Sequence, residues 1–424
     1  MLHPIRAALI GSVALIIAAT LLPFGGMAAE RIPPAWCVRC GSLWLTDVIS
    51  NVAMFVPFGV ALGLRRWTLW RVLVASLLFT VGVEALQSVG LPPGRSPALA
   101  DVMSNTAGGV LGALLVLGWR WQRLASRAQL SVLALAWSAL VCAVVAWSAY
   151  MLTPVTGLEA MRSESASVTP SAFGHVPGHG WYEGMTDSAF VGITRIKRGW
   201  SGPIIQQISF EQFPMTAGVT VRGTDPLYGQ IPLLFVHLPN DSSAWLQLAK
   251  HGNDVELTVL RRAWRWGLTM PSVIVPQAFA GRTVNDARPL SVTANVTTSV
   301  LRLQTSGAFT GADSLVLTPL LGWTLIQPIV TVQSPLAWLA HGCWLFALIA
   351  PIGWCVMRGM RPLVVGAICA TVVSTAFVAI PIQMALSPLL VRDWTVSVLC
   401  LGCGCLLAWG YRAHRVRRSA PPIA

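Results

Sequence analysis

Stretches of about twenty apolar residues, almost free of charge, limit what this chain can become more than any other feature. A run of that length spans the hydrocarbon layer of a bilayer as a helix. Such runs cover Ile5–Phe24, Leu45–Leu64, Leu69–Val89, Ala98–Leu117, Leu130–Leu152, Pro335–Met357, Leu363–Leu386 and Trp394–Tyr411. In lipid, backbone N–H and C=O groups find no water, so each run must satisfy them internally as an α-helix. Charged residues make up 11% of the chain, against about 25% in soluble proteins. The expectation is an α-helical polytopic membrane protein of about eight transmembrane helices, with an extracytoplasmic all-β sandwich inserted between the fifth and sixth.

The net charge of +13 invites a nucleic-acid reading, and position argues against it. Arg6, Arg65, Arg66, Arg71, Arg120, Arg123, Arg127, Arg358, Arg361, Arg412, Arg415, Arg417 and Arg418 all flank one end of the spans. Only Arg31, Arg39, Arg95 and Arg392 fall in the short loops opposite. Basic residues cluster on the cytoplasmic side of membrane proteins, so this asymmetry reports orientation rather than phosphate binding. It predicts a plasma-membrane protein of bacterial type, with both termini cytoplasmic. Tryptophans fit both interfaces, Trp67, Trp70, Trp119, Trp121, Trp354 and Trp409 on the inner side and Trp36, Trp44, Trp147, Trp338 and Trp394 on the outer. The first span also has the basic start, apolar core and small residues (Ala28, Ala29) of a cleaved signal peptide, but its apolar run is long for one.

Three regions follow: a five-span block over 1–152, a segment over 153–334 without long apolar runs, and a three-span region over 335–424. The middle segment reads as strands. Ile205–Phe210 and Val219–Arg222 alternate, and Ile231–Leu238 is a buried-type run. Trp245–Lys250 and Val255–Leu260 flank the turn His251-Gly252-Asn253-Asp254, and Leu290–Asn295, Val300–Leu303 and Ser314–Leu317 follow. The last region echoes the first. Phe55-Val56-Pro57-Phe58-Gly59 has a counterpart in Ile349-Ala350-Pro351-Ile352-Gly353, Gln87 in Gln383, Asp101 in Asp393, Asn105 in Ser397 and Gly112 in Gly404. Ancient duplication is one account, and chance likeness between glycine-bearing apolar helices is the other. Ile380 stands where a copy of Glu84 belongs.

Within the first block the polar residues are few and paired. Asp47 and Asn51, and Asp101 and Asn105, are four apart, and Glu84 and Gln87 are three apart, so each pair shares a helix face. All three pairs fall at the span ends assigned to the outer surface, with Arg95 in the loop between spans three and four. Ionisable residues near lipid are costly and mark functional sites by default. The structural alternative is specific. Asp47 caps span two, Ser96-Pro97 caps span four and leaves Asp101 and Asn105 inside the helix, and Glu84 with Gln87 forms an interhelical hydrogen bond.

These residues resemble the VanZ-like family of membrane proteins. The matching pieces are Asp47-Val48-Ile49-Ser50-Asn51, Phe55-Val56-Pro57-Phe58-Gly59, Glu84-Ala85-Leu86-Gln87, Gly94-Arg95 and Asp101-Val102-Met103-Ser104-Asn105-Thr106-Ala107-Gly108-Gly109, with Gly112 continuing the pattern over roughly residues 10–120. The resemblance implies a helical membrane protein, and its founding member is associated with resistance to the glycopeptide teicoplanin. The middle region is faintly similar to concanavalin or laminin-G sandwiches, which implies binding of an envelope polysaccharide. Trp245, Trp264 and Trp266 are core or sugar platform on that reading.

Cys37-Val38-Arg39-Cys40 lies in the first outer loop and suits a structural disulfide in an oxidising compartment; a redox pair or half a metal site are the alternatives. His175 and His179 are separated by Pro177 and Gly178, which deny them a helix. Neither a cofactor nor a metal is expected. The expected partner is a membrane lipid or lipid-linked glycan, held by Asp47, Asn51, Gln87, Arg95 and Asn105. If a reaction occurs, Glu84 and Asp101 are the acid–base pair on offer. A third reading leaves the function to an adhesive sandwich on a helical anchor.

Overall fold

The structure is a computed structural model that describes residues 2–21, 37–91, 97–155, 169–171, 182, 184–196, 214–224, 230–237, 244–326, 332 and 334–419. The expected strand over 205–210, His175, His179, Ser96 and Arg95 lie outside the described residues. The helices are α1 Leu2–Leu21, α2 Trp44–Leu64, α3 Leu69–Ser88, α4 Leu99–Leu124, α5 Arg127–Leu152, α6 Ala337–Arg358, α7 Pro362–Gln383 and α8 Val391–Ser419. Among the described residues, seven of them, α2 to α8, are long and apolar enough to cross a membrane, and α1 is a shorter apolar helix. The chain is a multi-pass membrane protein with an inserted antiparallel β region. Two spans outrun their apolar cores. Helix α4 continues through Trp119–Arg123 and α8 through Arg412, because a helix satisfies its backbone equally well in water.

The chain divides into two compact units. The first holds Met1–Leu133, Trp264–Thr269 and Arg358–Met360. Its axis is the crossing of α2 with α4, and glycine makes that crossing close. A Cβ on Gly59 would meet the carbonyl oxygen of Gly109, and one on Gly112 would meet that of Val56. Gly108 likewise faces the Val52 carbonyl. Helix interfaces in lipid favour such small residues because packing, not water exclusion, holds them together. Phe55, Phe58 and Phe79 stack beside the crossing at 5.4–6.2 Å between centroids, over a core with Ile16, Leu62 and Val72.

The first turn of α2 has no side-chain cap. Its orphan N–H groups on Leu45 and Thr46 instead donate to the Gly267 carbonyl, both at 3.0 Å, and Thr269 N–H donates to the buried Thr46 hydroxyl at 3.0 Å. Gly267 has a φ of +63° and lies under the Trp44 indole, a place with no room for a side chain. At the other end, Arg120 donates to the Gly63 carbonyl at 3.0 Å, which suits a cation at a helix C-terminus.

The second unit holds Ala134–Ala263, Met270–Met357 and Arg361–Ala424. Its strands are β1 Thr169–Ser171, β2 Met185–Val191, β3 Thr194–Ile196, β4 Met215–Arg222, β5 Gln230–His237, β6 Ala244–His251, β7 Asp254–Val259, β8 Ser272–Val275, β9 Leu290–Val296, β10 Val300–Gly307 and β11 Gly311–Val316. They form two antiparallel sheets, ordered β1-β5-β6-β7-β8 and β11-β10-β9-β4-β2-β3. Alternation decides which face is core: Val255, Leu257 and Val259 point inward from β7, and Leu290, Val292, Ala294 and Val296 from β9. His251 pairs with Asp254 across a two-residue turn with Gly252 at φ +60°, the hairpin read from the sequence. Trp245 is core, whereas Trp266 is about half exposed.

One buried group in this unit is unusual. Arg261 is fully buried, and only its Nη1 is bonded, to the carbonyls of Leu152 (3.4 Å) and Thr298 (3.2 Å). Burial pushes its pKa down to about 9. The bond to Leu152 serves one of the orphan carbonyls that end α5, where a cation also suits the helix dipole.

Candidate functional site

The polar pairs of the first unit meet where α4 begins. Helix α4 starts at Leu99 with Ala98 in the cap position and no side-chain cap. Pro97 therefore precedes the helix instead of opening it as expected, and Asp101 falls in the first turn rather than the helix interior. Two other parts of the chain serve that turn. The Glu84 carboxylate on α3 accepts from Ala98 N–H at 3.0 Å, and the Cys37 carbonyl accepts from Ala100 N–H at 3.2 Å. A carboxylate at a helix N-terminus gains both a hydrogen bond and the helix dipole. That combination accounts for an acidic residue buried to 8% exposure in an apolar bundle.

Asp101 in turn joins α4 to α2. Asn51 Nδ2 donates to Asp101 Oδ1 at 2.7 Å, a charge-assisted length. One turn further along, Asn105 Nδ2 donates to the Thr80 hydroxyl on α3 at 2.9 Å. Asn105 and Thr80 are buried, and Asn105 Oδ1 has no partner among the described residues. Gln87 reaches the Thr20 carbonyl of α1 at 3.5 Å, the outer limit of a hydrogen bond. The cluster therefore has an inner layer of Thr80, Glu84, Gln87 and Asn105, and an outer layer of Asn51 and Asp101, which are partly exposed. Asp47 is exposed on the first turn of α2. Cys37 and Cys40 are disulfide-bonded, in the loop whose carbonyl serves α4.

Residues 9–121 match the VanZ/LLP1 family. No curated protein and no solved structure matches the chain. The VanZ/LLP1 match covers α1 to α4, the helices that build the polar cluster. It stops short of the β sheets and of α6 to α8.

The sequence gathers Asp47, Asn51, Glu84, Gln87, Arg95, Asp101 and Asn105 into one site; the structure bonds Asn51 to Asp101 directly and leaves Asp47 exposed, and Arg95 lies outside the described residues. Sequence reasoning missed Thr80 and the buried hydroxyl of Ser76, which has no partner among the described residues. A signal was present. Ser76, Thr80, Glu84 and Gln87 recur at spacings of four, four and three, one polar stripe down α3. No signal pointed to the two backbone carbonyls, of Cys37 and Gly267, that serve the starts of α4 and α2. Among the described residues there is no group of three or more metal-type ligands.

Proposed function

We propose that this VanZ-type membrane protein binds a cell-envelope lipid or lipid-linked glycan at the Asn51–Asp101 end of α2 and α4. The observation that carries the reading is the bonded Asn51–Asp101 pair, partly exposed above the glycine-packed crossing of α2 and α4. An amide and a carboxylate placed at headgroup depth offer donors and acceptors that acyl chains never use. The charge asymmetry supports an outward-facing site. Arg65, Arg66, Arg71, Arg120 and Arg123 lie at the opposite ends of the same helices, which under the positive-inside rule supports a polar cluster at the exterior leaflet. Arg95 adds a cation for an anionic headgroup. The engagement of Glu84 with Ala98 N–H favours binding over proton transfer, because that carboxylate serves a helix end.

Native mass spectrometry of the full chain, extracted from its own membrane, tests this. The wild type carries a bound lipid, and Asp101→Asn and Arg95→Ala lower its occupancy about ten-fold, the worth of one charge-assisted contact. Equal occupancy in all three proteins contradicts the reading. The link to glycopeptide resistance has its own readout, a shift in teicoplanin susceptibility on expression that Asp101→Asn removes.

A further inference from the structure

The α6–α8 region repeats the geometry of α2–α4 at matching positions. Shifting α2 by 294 residues aligns Pro57 with Pro351 and Gly59 with Gly353, and shifting α4 by 292 aligns Asp101 with Asp393 and Gly112 with Gly404. The same two shifts convert the contacts. Gly59 faces the carbonyl of Gly109, and Gly353 faces that of Leu401; Gly112 faces the carbonyl of Val56, and Gly404 that of Ala350. Both members of each pair obey one common register. Chance likeness between glycine-bearing helices does not supply two contacts at a single pair of shifts. In both regions proline sits inside the first helix, and an arginine of positive φ, Arg66 or Arg361, lies in the link to the next.

The polar pair of the second crossing is different. Asp393 is bonded to His341 Nε2 at 3.1 Å, and the 294-residue shift maps His341 onto Asp47, one turn before Asn51. The second carboxylate oxygen of Asp393 accepts from Leu390 N–H at 3.2 Å. Ser397 lies one turn along the same face of α8. His341, Asp393 and Ser397 are each more than nine-tenths buried, and His341 Nδ1 and the Ser397 hydroxyl have no partner among the described residues. Arg392, stacked on the exposed Trp338 at 5.1 Å, lies 3.6 Å from the same carboxylate. Unsatisfied buried polar groups cost about 1–3 kcal/mol each, and here two of them lie beside a carboxylate, so a bound donor would relieve both.

We infer that α6–α8 are a divergent second copy of α2–α4, and that His341, Asp393 and Ser397 form a second polar site for a headgroup that donates hydrogen bonds. The chemistry selects the donor. An ionised Asp393 accepts the hydrogen bond from Nε2–H, and in the tautomer that carries its one proton there Nδ1 presents a lone pair. Ser397 adds a hydroxyl that accepts as readily as it donates. Acceptors therefore dominate, and an anionic phosphate oxygen meets a carboxylate there. A primary ammonium or a hydroxyl fits, entering as the half-exposed Arg392 side chain swings aside from Asp393.

The test uses the full chain labelled with 15N-histidine in three kinds of nanodisc: phosphatidylcholine alone, or mixed with phosphatidylethanolamine or with phosphatidylglycerol. His341→Gln identifies the His341 signals. The Nδ1 resonance moves saturably with ethanolamine lipid if the donor is an ammonium, and with glycerol lipid if it is a hydroxyl. Phosphatidylcholine, with neither donor, leaves it in place. Ser397→Ala raises the half-saturating lipid fraction about five-fold, the worth of one hydrogen bond. Asp101→Asn leaves the His341 response unchanged, which separates this site from the one proposed on α2–α4. One Nδ1 resonance in all three membranes, or an undiminished response in Ser397→Ala, overturns the second site and shows water alone in it.

Discussion

The α2–α4 and α6–α8 crossings share a backbone and differ in their polar chemistry. In both, glycine lets one helix rest on a carbonyl oxygen of the other. In the first, interhelical bonds tie the inner layer together, with Glu84 on Ala98 N–H, the Asn105 amide on Thr80 and Gln87 on Thr20, and among the described residues Asn105 Oδ1 and the Ser76 hydroxyl stay open. In the second, an imidazole–carboxylate pair replaces that layer and leaves Nδ1 and the Ser397 hydroxyl unpaired. The contrast shows that the crossing and the polar pair are separable. Close packing needs only small residues at two registers, whereas the polar groups above it are free to change.

The largest expected effect tests the shared backbone. Gly112→Leu and Gly404→Leu each drive a side chain into a carbonyl, so each costs about 3 kcal/mol, read as lost folded yield and a lower unfolding temperature in detergent. Gly118→Leu and Gly402→Leu, which meet nothing within 4 Å, are near-silent controls. A silent Gly404→Leu breaks the equivalence of the crossings.

The next effect concerns the carboxylates. Glu84→Ala strands Ala98 N–H, and Asp393→Ala strands Leu390 N–H and the imidazole; each costs about 1–3 kcal/mol by the same thermal assay. Equal stability of wild type and Glu84→Ala removes its helix-capping role.

A finer contrast separates the partnered from the unpartnered layer. Thr80→Val deprives the Asn105 amide and costs about 1 kcal/mol, whereas Ser397→Ala is neutral within about 0.5 kcal/mol. Matching losses at the two positions would mean that the Ser397 hydroxyl is bonded after all.

The smallest effect lies in the β region and serves as a reference that no helix substitution disturbs. His251 Nδ1 is 3.4 Å from Glu256 Oε2. The bond to Glu256 outweighs burial and raises the His251 pKa above its ordinary 6.5. Burial opposes ionisation of Glu256, but bonds from His251 and Ser272 hold its pKa below the ordinary 4.5. The histidine contributes stability below about pH 6.5 and loses it as pH rises through its raised value. The glutamate contributes above about pH 4.5 and loses it as pH falls. Both act together only between those limits. Because the imidazole is mostly exposed, His251→Ala narrows stability there by about 0.5 kcal/mol, seen as a flattened pH profile of unfolding temperature.

Much of this was legible in one dimension. Apolar runs gave the spans, since lipid leaves the backbone no alternative to helix. Alternation over Val219–Arg222 gave the end of β4, since one sheet face is core, and the turn at His251–Asp254 gave the β6–β7 hairpin. The spacing of Asp101 and Asn105 placed both on one face of α4. The start of α4 was misjudged because Ser96-Pro97 carries a strong local capping signal. The helix begins instead at Leu99, where Glu84 and the Cys37 carbonyl supply acceptors from elsewhere in the chain.

By itself, then, the sequence determined that this protein crosses a membrane several times and that a sheet region interrupts the helices, and its spacing put Asp101 and Asn105 on one helix face. Those properties follow from hydropathy and periodicity, which are local. Tertiary structure alone decided that Asn51 meets Asp101, that Asn105 meets Thr80, that Gly267 caps α2, and that His341 takes the place beside Asp393. Each of these joins residues at least 25 positions apart. Such pairings depend on how closely distant parts of the chain approach, and between α2 and α4 that distance is set by the glycines rather than by the polar residues themselves.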